Sequence, residues 1–485
     1  MEKMKILEIA SCFLLLVALD GCRLGPNYAR PVVDAPGSFR GRAPESEKTV
    51  AANLPSSAVA ASLGAPVAAA SLGDEKWWAL FQDEQLQTLI RTALANNYDA
   101  RLAAERVIAA RAQLGITHAD QLPTLSASGD INSLRAEETS VSPVFRAESG
   151  QLALFAAWEL DFWGKYRKAT EAARADLTAS EWGQKAVTRT LVSNVASAYF
   201  QLRTLDHELE ITQEALKSRQ ESLRLTKALA DGGSAPLMDV RQAEQLVYAA
   251  STQIPSLEKQ IEQQENYLSI LLGKNPGPIA RGLKLTEQPL LPDIPAGLPS
   301  ELIERRPDIR QAEEQLIAAS ARIGVAKAAY FPSISLTGAG GFQSTALTSL
   351  FSGPAGLWST GISAVQPIFE GGRIRNNVRL AESQQRQVLL VYRQTTQSAF
   401  RDISDALVAY RKSREAREQQ QLLSAAAQDA ARLSHIRYDA GATSYLEVLT
   451  NETNYYNAEL NLSQARFSEV LTLVQIYNAL GGGWQ

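Results

Sequence analysis

The sequence predicts a mainly helical chain with a small β part, built as a strand–helix repeat that occurs twice. Three observations carry this reading. The stretches "DQLPTLSASG" (Asp120–Gly129) and "AYFPSISLTG" (Ala329–Gly338) each switch to an apolar period of two directly after a proline. Both switches sit at the same place in a long internal repeat. The helical patterns that follow each switch are far longer than the three to four turns usual in globular proteins.

The repeat is direct. Asn96–Gly129 aligns without gaps to Arg305–Gly338, with identities at Asp99/Asp308, Arg101/Arg310, Glu105/Glu314, Gly115/Gly324, Pro123/Pro332 and Gly129/Gly338. At an almost unchanged offset, Asp231, Gly233 and Val240 align with Asp439, Gly441 and Val448, and Leu272-Gly273 aligns with Leu480-Gly481. A unit this long is no solenoid repeat, which runs to about 20–50 residues. The chain is a duplication.

Taken in order, residues 1–21 read as a lipoprotein signal peptide. Lys3 and Lys5 precede an apolar run from Ile9 to Leu19, which is too short to span a membrane as a helix. The run ends in "LDGC" (Leu19–Cys22), with Leu three residues before the Cys and a small residue just before it; Asp20 departs from the usual pattern. Cys22 is the expected site of a covalent lipid, and no other cofactor is expected. Cys12 would leave with the signal, so no disulfide or Cys-based metal site is available. Arg23, where an Asp would favour retention at the inner membrane, points to the outer membrane. Residues 22–74, rich in Ala, Pro and Ser, form a lipid-anchored linker with too little apolar bulk to fold alone.

Repeat 1 occupies 75–273: a helix from Glu84 to His118, strands at 122–132 and 151–162, a long helix 165–230 and a return helix 236–272. A proline-rich strap, 274–299, joins the copies. Repeat 2 occupies 300–485, with strands at 331–338 and 357–369, a long helix 373–439 and a return helix 444–480. Gly338–Gly341 is expected in an external loop. Gly164, Gly371 and Gly372 mark the bends from strand into helix, where backbone freedom is needed. Pro255 should kink the first return helix. Between Arg373 and Asp439 there is neither Gly nor Pro, and one helix there would extend ~100 Å.

The patterns say what these elements are for. Leu191, Val195, Ala198, Leu202, Leu205 and Leu209 alternate steps of four and three, as do Val240, Ala243, Val247, Ala250, Ile254, Leu257 and Ile261. That is coiled-coil spacing. In the clearest strand, Leu152, Leu154, Ala156, Trp158, Leu160 and Phe162 share one face, which suits a transmembrane strand of ~9–11 residues with an aromatic end. Trp358, Ile362, Ala364 and Ile368 repeat the pattern more weakly. Four strands cannot close a barrel in lipid, which takes about eight, and an open edge there strands unpaired backbone groups. Chains must therefore pool their strands. Two copies would give a filled barrel and three a possible channel, with helices from Lys165 and Arg373 continuing it as a conduit.

Other chemistries are excluded. A net charge of −4 argues against a nucleic-acid partner. No Walker motif, nucleophile elbow or HExxH occurs, and His118, His207 and His435 are scattered with no partner at metal-ligand spacing. No enzyme and no metal site is expected, so any energy must come from a partner.

Five stretches, "GLPSELIERRPDI" (Gly297–Ile309), "IGVAKAAYFPSISLTG" (Ile323–Gly338), "QPIFEGGR" (Gln366–Arg373), "GATSYLEVL" (Gly441–Leu449) and "ALGGGW" (Ala479–Trp484), carry a resemblance. Together they make the sequence similar to the TolC-like outer membrane factors, in the OprM/CusC-type (NodT branch) of efflux lipoproteins. The resemblance implies a homotrimer with a twelve-stranded outer-membrane β-barrel continued by a periplasmic coiled-coil α-barrel. It also implies a periplasmic adaptor, an inner-membrane pump of the RND type, and export of small molecules or ions. A duct for type I protein secretion, or a lipid-anchored periplasmic scaffold without a pore, remains open. In that family the helical turns at the periplasmic end form the aperture and the adaptor contact. Here those turns carry Asp231, Asp239, Tyr438, Asp439, Tyr445, Leu446 and Glu447. Leu446 stands where relatives place an apolar constriction, Thr450 where some carry a gate aspartate, and Asp439, Glu447 and Glu452 are the substitute carboxylates.

Overall fold

The computed structural model describes residues 24–32, 36, 39, 76–136, 145–289, 299–345 and 347–484. The expected signal peptide, Cys22, most of the linker and strap residues 290–298 lie outside the described residues.

One order of elements occurs twice. The first copy has α1 (Trp77–Leu80), α2 (Glu84–Asn96), α3 (Tyr98–Ala119), β1 (Thr124–Ala136), β2 (Phe145–Leu160), α4 (Lys165–Asp231) and α5 (Leu237–Leu271). The second has α6 (Pro299–Arg305), α7 (Pro307–Ala328), β3 (Ser333–Ser344), β4 (Gly356–Val365), α8 (Arg373–Asp439) and α9 (Tyr445–Ala479). Helices α4 and α8 are each 67 residues long, and α5 and α9 are each 35. The duplication is thus kept in length as well as in residue identity. Helix α5 continues through Pro255 as a single helix.

Three expectations are corrected. The helix foreseen from Glu84 to His118 breaks at Asn97. Its Oδ1 accepts from the N–H groups of Asp99 (2.8 Å) and Ala100 (3.1 Å), capping α3, while its Nδ2 donates to the Leu271 carbonyl (3.0 Å). The glycine run at Gly338–Gly341 is not a loop but the middle of β3. A Cβ on Gly341 would lie 2.2 Å from the Leu152 carbonyl oxygen, so the strands approach where only glycine fits. Finally, β2 stops at Leu160 and β4 at Val365, short of Phe162 and Ile368. Asp161 is diverted to cap α4, accepting from the N–H groups of Tyr166 (3.2 Å) and Arg167 (2.8 Å).

The helix ends repeat their chemistry. Gly233 and Gly441 take positive φ (76° and 70°), and the next residues, Ser234 and Ala442, donate back to Leu229 and Arg437 at 2.8 Å each. Arg306 occupies the position equivalent to Asn97, and its Nη1 donates to the Ala479 carbonyl (3.3 Å), the counterpart of the Leu271 carbonyl. Arg306 also grips Asp308 at 2.6 Å, with Arg189 3.4 Å from the same carboxylate. Burial pushes the Asp308 carboxyl up, but the guanidinium groups of Arg306 and Arg189 outweigh it and hold the pKa at about 2. The "RRPDI" stretch is a joint between helix ends.

The chain divides into two compact units, and neither is one repeat. The first comprises the described residues of Met1–Val32, Arg106–Glu181 and Gln311–Arg393. It holds the sheet and the segment 24–32, where Tyr28 Oη (3.1 Å) and Arg30 Nη2 (3.0 Å) both donate to Glu313. The second comprises the described residues of Val33–Glu105, Trp182–Arg310 and Gln394–Gln485. Here Leu191, Val195, Ala198, Leu202 and Leu205 are buried, as are Val240, Ala243, Val247, Ala250, Leu257 and Ile261. Leu209 and Ile254 are half-buried. The coiled-coil stripes form this unit's core.

Its most demanding residue is polar. Asp83 is 1% exposed, and its Oδ1 caps α2 by accepting from Gln85 N (2.9 Å) and Leu86 N (3.1 Å). Its Oδ2 accepts from Tyr199 Oη (2.9 Å), Leu283 N (2.9 Å) and Gln288 Nε2 (3.2 Å), tying the strap to α2 and α4. Asp83→Ala would leave these buried donors unpaired, at ~1–3 kcal/mol each. The expected outcome is a loss of about 3 kcal/mol or more, seen as a lower midpoint of thermal unfolding followed by helical circular dichroism. An unchanged midpoint would show that the network carries no stability.

Candidate functional site

The four strands form one antiparallel sheet in the order β1-β2-β3-β4. Directly paired residues share a face, so register assigns the faces. Leu125 pairs with Ala156, Ala127 with Leu154, Gly129 with Leu152, Trp158 with Leu336, Leu152 with Phe342, and Leu336 with Ile362. Across this band the face is apolar apart from Thr360, and it carries Trp358 opposite Gly340; beyond Gly150 it turns polar, with Ser133 opposite Glu148. The other face carries Ser126, Ser128, Asp130, Asn132, Gln151, Ser335, Thr337, Gln343, Ser359 and Ser363. Much of the apolar face is uncovered: Leu125 is 73% exposed, Ile131 72%, Trp358 80% and Ile362 71%. An apolar surface of this extent needs a non-aqueous neighbour.

The strands are 13, 16, 12 and 10 residues long, enough to cross a bilayer core, which takes ~9–11. Among the described residues β1 pairs only with β2, and β4 only with β3. Half the backbone groups of β1 and β4 therefore face outward from the sheet unpaired. No helix among the described residues is long and apolar enough to cross a membrane. Gly164 (φ 75°), Gly371 (59°) and Gly372 (86°) stand directly before α4 and α8 and turn the chain out of the sheet.

The second part of the site is the pair of helical hairpins, α4–α5 and α8–α9. Asp231 and Asp439 are exposed at the turns and Asp239 is half-buried in the first turn of α5. Burial raises the Asp239 carboxyl above its ordinary range. Leu237, Met238 and Leu446 are all more than half exposed. The Tyr438 ring packs at a tilt of 56°, 5.2 Å from that of Tyr445, which is buried with Ala243, Val448 and Leu449. Thr450 is exposed and donates to the Leu446 carbonyl (2.8 Å). Of the three substitute carboxylates, two are turned to partners in their own hairpin. Glu447 accepts from Arg437 (2.7 Å) and from Thr443, and Glu452 lies 2.7 Å from His435 Nε2.

His435 and Glu452 form a cross-hairpin pair that the sequence reading did not find. Its signal was present in the repeat: Lys227 and Glu244 hold the equivalent positions and pair at 3.1 Å. One copy thus carries a permanent ion pair and the other a titrating one. The hydrogen bond that protonated His435 donates to Glu452 raises its pKa, burial lowers it less, and Asp439 adds to the rise.

A sheet with one bare apolar face suits a membrane, and the comparisons place the chain among outer-membrane proteins. Residues 89–274 and 298–482, nearly the whole of each repeat, match the family described as outer membrane efflux protein. The cation efflux system protein CusC of Escherichia coli O6:H1 is 34% identical over 474 residues, covering 98% of either chain. The probable outer membrane lipoprotein SilC of Salmonella typhimurium is 34% identical over 490 residues, covering 100% of both. Among solved structures, the open state of the Neisseria gonorrhoeae MtrE outer membrane channel superposes with a TM-score of 0.83 at 31% identity, covering 96% of this chain and 99% of that one. This chain belongs to the outer membrane efflux protein family. It is an efflux channel of the outer membrane.

Two outcomes follow. Leu154→Arg puts a charge on the apolar face, at about 2–4 kcal/mol near the bilayer midplane, and should deplete the membrane of folded protein. Ser126→Arg, on the polar face, should be tolerated; equal loss from both would overturn the assignment of faces. For the hairpin, the raised His435 pKa means that its pairing stabilises the fold fully below the ordinary value of ~6.5 and is lost as pH rises through the raised value. Backbone hydrogen exchange at the ends of α8 and α9 should therefore quicken, beyond its intrinsic increase, as pH rises above the ordinary value of ~6.5. In His435→Asn that excess should vanish.

Proposed function

We propose that three copies pool their strands into one twelve-stranded barrel, forming the exit duct of a tripartite efflux system. In this reading β1 of one copy pairs with β4 of the next. A lipid on Cys22 tethers each chain to the outer membrane, a periplasmic adaptor engages the hairpins, and an inner-membrane pump of the RND type supplies the energy. The cargo is small molecules or ions. The name of CusC, a cation efflux system protein, supports cations among them, and that of SilC supports the lipid anchor. The exposed Leu237, Met238 and Leu446 give the adaptor an apolar surface to cover.

A single observation carries the reading: a sheet with one apolar face ends in two unpaired edges. In hydrocarbon each unpaired group costs several kcal/mol. Summed along two edges, that exceeds the ~5–15 kcal/mol net stability of a typical fold. Three copies also leave a bore, where two would give a barrel whose interior side chains fill.

Purified protein in planar bilayers should give discrete single-channel conductance. On a gel it should migrate unheated as a trimer that collapses to monomer on heating. A monomer in the membrane with no conductance would sink the proposal and leave a scaffold without a pore.

A further inference from the structure

The two hairpins differ at one carboxylate oxygen. Glu244 in α5 has both of its oxygens engaged, one by Lys227 at 3.1 Å and the other by Arg241 at 2.7 Å. Its counterpart Glu452 in α9 keeps the first interaction, with His435 2.7 Å from Oε1. The second cation is missing, because Leu449 stands where the first copy has Arg241. Glu452 Oε2 is buried without a hydrogen-bond partner, on a side chain only 10% exposed. Buried carboxylate oxygens are ordinarily satisfied.

That side chain lines a cavity of about 230 Å³ between α4 and α9, bordered also by Glu214, Arg219, Tyr455, Tyr456 and Glu459. Three carboxylates face one guanidinium there. Arg219 is already committed: it lies 4.9 Å over the Tyr456 ring and its Nη1 donates to the Leu246 carbonyl (3.2 Å). Among the described residues it forms no ion pair with Glu452, although Glu452 is the charge that acts on it most; Arg466 feels Glu459 in the same way, which still leaves three carboxylates to two guanidinium groups. The cavity therefore favours added positive charge. No group of three or more His, Cys, Asp or Glu among the described residues could hold a metal ion, so the fitting donor is an N–H group. The volume falls below the ~300–1,000 Å³ of sites for drug-sized ligands, which calls for a slender molecule. Glu452 and Glu459 are two helical turns apart, ~10 Å along α9. Glu459 is held by Ser424, which donates to its Oε1 at 2.6 Å.

We propose that this cavity binds a linear alkyl di- or polyamine, with one ammonium on Glu452 Oε2, where the first copy places Arg241, and a second on Glu459. The alkyl chain lies along Ile211, Ala215 and the rings of Tyr455 and Tyr456, which line the same cavity. The ligand bridges α4 of one hairpin to α9 of the other. The site lies within one chain and stands independently of any pump or adaptor.

Calorimetric titration of the full-length protein in detergent with spermidine, at low ionic strength and about pH 8, tests it. One saturable site per chain is expected. Glu452→Gln should weaken binding by about tenfold or more, the range of a lost charge-assisted hydrogen bond. Propylamine, with a single ammonium, should bind at least about tenfold more weakly than spermidine. Glu459→Gln, which removes the second carboxylate, should weaken spermidine binding by about tenfold while leaving propylamine binding little changed. If Glu452→Gln does not assemble, as judged by gel migration, Glu459→Gln carries the test. Spermidine binding unchanged in the assembled variants would overturn the proposal. So would a magnesium titration indistinguishable from that of spermidine, because it would mean general attraction to surface charge.

Discussion

A strand edge cannot be left open in hydrocarbon. Water would satisfy the outward N–H and C=O groups of β1 and β4, but a bilayer core offers none. Everything about the sheet follows from this. The inner strands β2 and β3 are saturated by their neighbours, and among the described residues the outer two each keep one unpaired edge. Duplication supplies the four strands and alternation supplies the two faces. A globular protein would cover Leu125 or Ile362 with a helix; here the apolar face is left bare, and that identifies its surroundings.

A different constraint governs the helices. An apolar stripe repeating every 3.5 residues buries nearly the same surface if one helix slides by a heptad. Directional polar contacts do not survive such a slip. The chain places them at the helix ends: Asn97 on the Leu271 carbonyl, Arg306 on the Ala479 carbonyl, and Asp83 holding α2, α4 and the strap at once. Each is buried and satisfied, and each is fixed to a single register.

Within this shared frame the two copies have diverged where charge is concerned. Asn97 has become Arg306, gathering Asp308, Asp402 and Arg189 around it. Lys227 has become His435, and Arg241 has become Leu449. The first hairpin sets Lys227 and Arg241 on the two oxygens of Glu244. The second holds a histidine that titrates and a carboxylate oxygen left unpartnered. A duplicated protein can alter one hairpin while the other keeps the fold.

Residues alone determined the duplication, the length of the long helices, their apolar stripes and the alternation of Leu152 to Leu160, because period and breakers are local properties of a chain. They could not place the end of a strand. Phe162 and Ile368 keep the alternating pattern, yet Asp161 leaves the ladder to cap α4, and a cap competes with a ladder only once the helix is in place. They misjudged Gly338–Gly341, since a glycine run reads as a loop until a facing strand shows how closely Leu152 approaches. They also named Glu447 and Glu452 as carboxylates for an aperture. They did not show the partners that both have across the hairpin, because whether a charge faces solvent or a neighbouring helix depends on how two antiparallel helices meet. Composition and spacing decide which elements form; only their packing decides which polar groups are left to act.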